Sequence, residues 1–192
     1  MKSKTLIIII LTSILASSCC RSKEETRWDL TEAEKQLIPY ELGQTINFID
    51  SVGNPFVLTV TENSSRWHYY FIESHERCEN YVSINRKTVR LKSDTYNLTI
   101  SLWINDYSYT SKNEYLTFLI TPFGCYFDIR YHEGGQFSMD DYQNVYDSLI
   151  VNNKTYYEVV EKIEASRSIL YNKTDGILQV CDKNKELFSI IK

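Results

Sequence analysis

From Gly43 to the C-terminus the chain alternates apolar and polar residues with a period of two, the pattern of strands with one face in a core and one in water. The clearest case runs from Tyr96 to Asn105. Tyr96, Leu98, Ile100, Leu102 and Ile104 share one face, while Asn97, Thr99, Ser101 and Asn105 share the other. Cys125, Phe127, Ile129 and Tyr131 alternate in the same way with Tyr126, Asp128, Arg130 and His132. Turn residues punctuate these runs. Gly53-Asn54, Asn63-Ser64-Ser65, Gly134-Gly135, Asn152-Asn153 and Asp175-Gly176 each predict a reversal, because they tolerate the tight backbone a hairpin needs. Thr155 to Ile163 is read as a strand rather than a helix, since Thr155, Tyr156, Tyr157, Val159 and Val160 are strand formers.

Helix signals are few. Thr31-Glu32-Ala33-Glu34 is a capping box, predicting a short helix to Leu37-Ile38 that stops before Pro39. Ser138 to Tyr142 predicts at most one helical turn. No strand–helix–strand alternation occurs, which excludes a parallel sheet. The expected fold is all-β: an antiparallel meander of about eleven strands forming an open barrel or sandwich, with one short N-terminal helix.

The first 18 residues break the pattern. Two lysines precede an apolar run from Leu6 to Leu15, followed by Ala16-Ser17-Ser18. That is the layout of a secretory signal, and the run is too short to span a bilayer, which takes about 20 apolar residues. Ala16-Ser17-Ser18-Cys19 resembles a bacterial lipobox, and Lys23-Glu24-Glu25 resembles the surface-export signal of Bacteroidota lipoproteins. Asp147 to Val159 and Ile169 to Leu178 look like the C-terminal pattern of lipoproteins from the same group. The resemblance implies that residues 1–18 are removed, that Cys19 carries lipid, and that the protein is anchored to the bacterial outer membrane with its body at the surface. It implies no activity. The expected organisation is a signal at 1–18, a lipid-anchored tether at 19–30 and a single β domain at 31–192.

Charge narrows the partners. The whole chain has a formal charge of −4; removing Met1 to Ser18 takes away Lys2 and Lys4 and no acid, leaving −6. An acidic body argues against nucleic acid, which calls for a basic patch. Cys78, Cys125 and Cys181 form no CxxC spacing, so a zinc ribbon or thioredoxin-type motif is excluded, and each is read as a small buried apolar residue.

Catalytic chemistry finds no foothold in the sequence. His68, His75 and His132 fit no HExxH spacing, there is no GxSxG elbow, and the six glycines form no phosphate loop. No catalytic residue, metal ligand or cofactor is therefore expected. Asp50-Ser51-Val52 and Asp147-Ser148-Leu149 resemble the O-glycosylation triplet of Bacteroidota. The expected function is non-enzymatic: a lipid-anchored envelope protein that binds or supports a surface protein or glycan. Tyr107, Tyr109 and Tyr115 are the candidate binding residues, because tyrosine is rigid, partly apolar and has a hydrogen-bonding tip. The alternative is a carrier of an apolar ligand in a β-barrel cavity.

Overall fold

The computed structural model describes residues 22, 24–72, 80–105, 114–132, 135–182 and 185–191. Thirteen strands and one short helix follow in order: β1 (Glu24–Trp28), α1 (Glu32–Lys35), β2 (Thr45–Asp50), β3 (Pro55–Ile72), β4 (Asn80–Lys92), β5 (Thr99–Asn105), β6 (Glu114–Thr121), β7 (Cys125–His132), β8 (Gln136–Phe137), β9 (Gln143–Val151), β10 (Lys154–Glu164), β11 (Arg167–Asn172), β12 (Gly176–Asp182) and β13 (Lys185–Ile190). The fold is all-β, as expected, with thirteen strands among the described residues in place of about eleven. The chain packs as two compact units, where the sequence suggested a single domain from residue 31: one is His68–Ile84 with the segment up to Trp28, the other Asp29–Trp67 with Asn85–Lys192.

In the smaller unit the segment expected as tether contains β1, which runs parallel to β4 with Thr26 opposite Val82 and Trp28 opposite Ile84. Asn80 Nδ2 donates to Glu25 Oε1 at 2.5 Å, and the Tyr69 and Tyr81 rings meet edge-on at 5.8 Å.

In the larger unit β2 to β13, with β3 as far as Trp67 and β4 from Asn85, form a nearly closed antiparallel barrel, ordered β8-β7-β6-β5-β4-β3-β2-β13-β12-β11-β10-β9. Its interior follows the alternation. Leu91, Ile100, Ile120 and Cys125 lie opposite one another across β4 to β7; Val89, Leu102, Phe118 and Phe127 form the next row, and Ile104, Leu116 and Ile129 the third. All are buried, so each row packs one apolar side chain per strand against the next. Phe118 reaches Tyr171 on β11 at 5.1 Å between ring centroids, so the two halves of the barrel meet through rings.

Where the sheet would need one more pairing to close, a side chain supplies it. Gln143, at the start of β9 and fully buried, accepts from the Arg130 backbone N–H at 2.8 Å and donates to the Arg130 carbonyl at 2.8 Å. Its second amide hydrogen goes to the Ser138 carbonyl at 2.5 Å. A primary amide offers the same donor and acceptor as a peptide group, so Gln143 stands in for a strand residue beside β7. Nearby, the Glu164 carboxylate accepts the Asp128 backbone N–H.

The helix segment covers the end of the barrel formed by the turns at Gly135 and Gly176, which approach Ala33 and Tyr40. The capping box forms as predicted: Glu34 N–H donates to the Thr31 hydroxyl at 3.2 Å, and Thr31 N–H to Glu34 Oε2 at 2.6 Å. The helix stops at Lys35 rather than Leu37-Ile38: the Leu37 N–H turns to the Glu34 carbonyl, three residues back, at 3.0 Å, and barrel side chains take the free carbonyls that follow. Lys87 Nζ donates to the Lys35 and Ile38 carbonyls at 2.7 and 3.0 Å, the Tyr171 hydroxyl to Leu37, and Asn63 Nδ2 to Tyr40 at 2.8 Å.

Three local expectations are corrected. Asn63-Ser64-Ser65 makes no turn: β3 runs on unbroken beside β4, where Thr61 Oγ1 donates to the Arg90 carbonyl at 3.3 Å and Arg90 pairs with Glu62 at 3.1 Å. Residues 138–142 form no helical turn; Asp140 makes a backbone bridge with Gln143. Tyr96 stands outside the strand expected at Tyr96–Asn105, because the Ser93 hydroxyl accepts the backbone N–H of Thr95 and Tyr96 and folds that stretch into a turn.

Candidate ligand pocket

At the barrel end opposite the helix, the β2–β3, β4–β5 and β6–β7 turns surround a pocket of about 180 Å³. Its walls come from pairing across the meander. Phe48 lies opposite Phe56 on β3, with ring centroids 5.7 Å apart, and Phe188 of β13 lies opposite Asp50. Phe188 stands edge-on to Phe48 at 5.4 Å and to Phe56 at 5.8 Å, with interplanar angles of 90° and 85°. Tyr96 crosses Phe56 at 4.9 Å and 69°. Phe56, Phe188 and Tyr96 thus line the pocket with rings set at steep angles, and the half-exposed Phe123 completes the rim beside Pro122.

One carboxylate faces this apolar lining. Asp50 ends β2 and folds the following turn around itself. Its Oδ1 accepts the backbone N–H of Val52 at 3.0 Å and of Asn54 at 2.8 Å; its Oδ2 accepts Asn54 Nδ2 at 3.0 Å and the Tyr96 hydroxyl at 2.9 Å. Gly53, with φ of +93°, makes that turn possible. Hydrogen bonding, above all from the Asn54 side chain and then its N–H, lowers the Asp50 pKa from the usual 3.8 to about 2. The hydrogen bond from Tyr96 to Asp50 raises the Tyr96 phenol in turn.

Other concavities are less promising. The groove beside α1 reaches about 580 Å³ and has Lys35, Lys87 and Lys173 on its walls. Each ammonium is engaged: Lys35 with Glu32 at 2.8 Å, Lys87 with two carbonyls, Lys173 over the Phe137 ring at 5.4 Å. Burial and the neighbouring Lys35 lower the Lys87 pKa. Arg66, Arg90 and Lys92 line an open depression on the barrel wall, with Arg90 tied to Glu62. Among the described residues no group of three or more His, Cys, Asp or Glu is placed to hold a metal.

Of the tyrosines singled out in the sequence, Tyr107 and Tyr109 lie outside the described residues, as do Cys19, Cys78 and His75. Tyr115 is half-buried on β6. Arg130 Nη2 donates to its hydroxyl at 2.8 Å, and the guanidinium lies 5.4 Å from the ring centroid. Thr121 lies six positions beyond Tyr115, about 20 Å along a strand, so Tyr115 is far from the pocket. Cys125 is a buried free thiol, whereas Cys181 is only half-buried. Burial raises both pKa values, which leaves them poor nucleophiles. The pocket residues were not foreseen; Gly53-Asn54 marked the turn, but nothing in the sequence tied Phe56 to Tyr96 and Phe188. No protein-family model, curated protein or solved structure matches the chain.

Proposed function

We propose that the protein is exported, acylated on Cys19 and anchored at the outer membrane, where its barrel serves a non-enzymatic binding role. The observation that carries the binding reading is the aromatic-lined pocket of Phe56, Tyr96, Phe123 and Phe188 at an open barrel end. Apolar pockets with few, convergent polar groups are the default form of a small-ligand site. The address rests on Ala16-Ser17-Ser18-Cys19 and Lys23-Glu24-Glu25. Mass spectrometry of the mature N-terminus and of a Cys19→Ala variant tests it. The expected result is acylated Cys19 in the native chain and a soluble variant; an unacylated native chain overturns it. Surface protein or glycan is the partner class proposed through Tyr107, Tyr109 and Tyr115, and pull-downs with alanine at these positions test that separately.

A second reading, carriage of an apolar ligand, draws on the same lining. Phe118, Phe127, Tyr131 and Tyr171 fill the barrel interior, so this reading puts the ligand in the end pocket. Extraction of the purified chain for bound lipid tests it: stoichiometric lipid supports carriage, and a lipid-free chain that takes none up removes it.

A further inference from the structure

We propose that the end pocket binds a quaternary ammonium head group. This rests on the binding reading above and names its ligand class. Three features of the site argue for it. Aromatic ring faces carry negative quadrupole charge, and rings set at steep angles around one small space attract a cation from several sides. Phe56, Phe188 and Tyr96 bring three rings to the pocket wall, packed edge to face on Phe56 at 85° and 69°, and Phe123 closes the rim. Among the described lining residues the sole charged one is Asp50, whose carboxylate is opposite in sign to the ligand.

The third feature selects among cations. A carboxylate offers about four lone-pair sites. In Asp50 they are taken by Val52 N–H, Asn54 N–H, Asn54 Nδ2 and the Tyr96 hydroxyl. A primary ammonium brings three N–H donors and would leave them without acceptors among the rings, at the cost of desolvating unpaired donors. A quaternary ammonium has no N–H. It needs charge and apolar surface, which this pocket supplies together. A volume of about 180 Å³ falls below the roughly 300–1,000 Å³ of sites for drug-sized ligands, so the pocket takes a head group rather than a whole large molecule.

The test titrates the full chain with three probes by calorimetry: choline, its uncharged carbon isostere 3,3-dimethylbutan-1-ol, and ethanolamine. Saturable choline binding is expected, about tenfold tighter than the isostere, the range a desolvated cation–π site allows. Ethanolamine is expected to bind more weakly than choline. Phe123→Ala, at a half-exposed turn position, should weaken choline at least fivefold while the melting temperature stays near that of the parent. Asp50→Asn should weaken choline by a larger factor than it weakens the isostere. Equal binding of choline and the isostere overturns the cation assignment but leaves an apolar binding site standing. Equal binding of ethanolamine overturns the preference for a quaternary centre. No binding of any probe overturns the pocket as a head-group site without touching the membrane address.

Discussion

The hydroxyl of Tyr40 occupies the place where a side chain on residue 176 would begin: a Cβ built on Gly176 would lie 2.0 Å from it. The same hydroxyl accepts the Ile177 backbone N–H at 2.6 Å, and Gly176 has φ of +81°. One glycine thus admits the residue that locks the helix segment onto the barrel end. Gly176→Ala adds both a steric clash and a disfavoured backbone, each costing about 1–3 kcal/mol. The expected result is a loss of roughly 2–5 kcal/mol in denaturant unfolding. Tyr40→Phe is milder, at about 1–3 kcal/mol, because it leaves one buried N–H without its acceptor.

Gln143 holds the barrel seam with a single amide, and three backbone groups depend on it. Gln143→Leu keeps the bulk and removes the partners. A loss of about 2–3 kcal/mol is expected, since unpaired buried groups cost about 1–3 kcal/mol each and water can reach the exposed Arg130. Hydrogen exchange at the Arg130 amide should accelerate more than at Leu102 or Phe118, deep in the sheet. Uniform acceleration would mean that the seam does not open on its own.

Two carboxylates respond to pH with opposite sign. Burial, and then the neighbouring Asp128, raise the pKa of Glu164 above 4.5. An acid whose folded pKa is raised weakens the fold above that value and stops doing so as pH falls through it. Glu164→Gln keeps an acceptor for the Asp128 N–H and should therefore raise the melting temperature at pH 7. The gain should be no more than about 1 kcal/mol, given solvent screening, and should vanish below pH 4.5.

Asp50 behaves in reverse. Its depressed pKa contributes stability that is present above 3.8 and lost as pH falls toward about 2. Choline binding should accordingly survive at pH 3.5 and weaken as Asp50 is protonated near pH 2. Carboxyl carbon shifts in NMR report that titration directly; a midpoint near 3.8 would mean that the Asn54 and Tyr96 bonds do not form.

Phe118 is the pivot of the interior, opposite Leu102 and Phe127 and in ring contact with Tyr171. Phe118→Ala should cost about 3–5 kcal/mol, the range for emptying a buried aromatic site. Thermal unfolding measures it, and a loss under 1 kcal/mol would mean that the surrounding rings collapse into the gap.

Local rules were legible wherever one residue type decides a conformation. The Thr31–Glu34 capping box, the Asp175-Gly176 reversal and the alternation of Cys125 to Tyr131 all appear as the residues imply. Asn152-Asn153 turns with φ of 49° and 61°, the left-handed backbone asparagine tolerates. The reading failed where distant partners override local preference. Asn63-Ser64-Ser65 has turn composition, yet β4 keeps it extended. Leu37 and Ile38 suit a helix, yet the Leu37 N–H turns to Glu34, and Lys87 and Tyr171 hold the carbonyls of Lys35, Ile38 and Leu37 to the barrel.

The candidate pocket shows the same division. Period-two patterning determined that the body of this protein would be antiparallel sheet with one apolar face, because alternation along a strand depends only on neighbouring residues. It did not determine that Asp50, Tyr96, Phe123 and Phe188 would meet, since the last of them lies 138 positions beyond the first. Only closure of the meander into a barrel brings β13 beside β2 and joins three turns at one end. The other seam, between β7 and β9, is bridged by Gln143, a polar residue whose role appears once β7 lies beside it, because a hydrogen bond between strands is set by position in space and not by spacing along the chain.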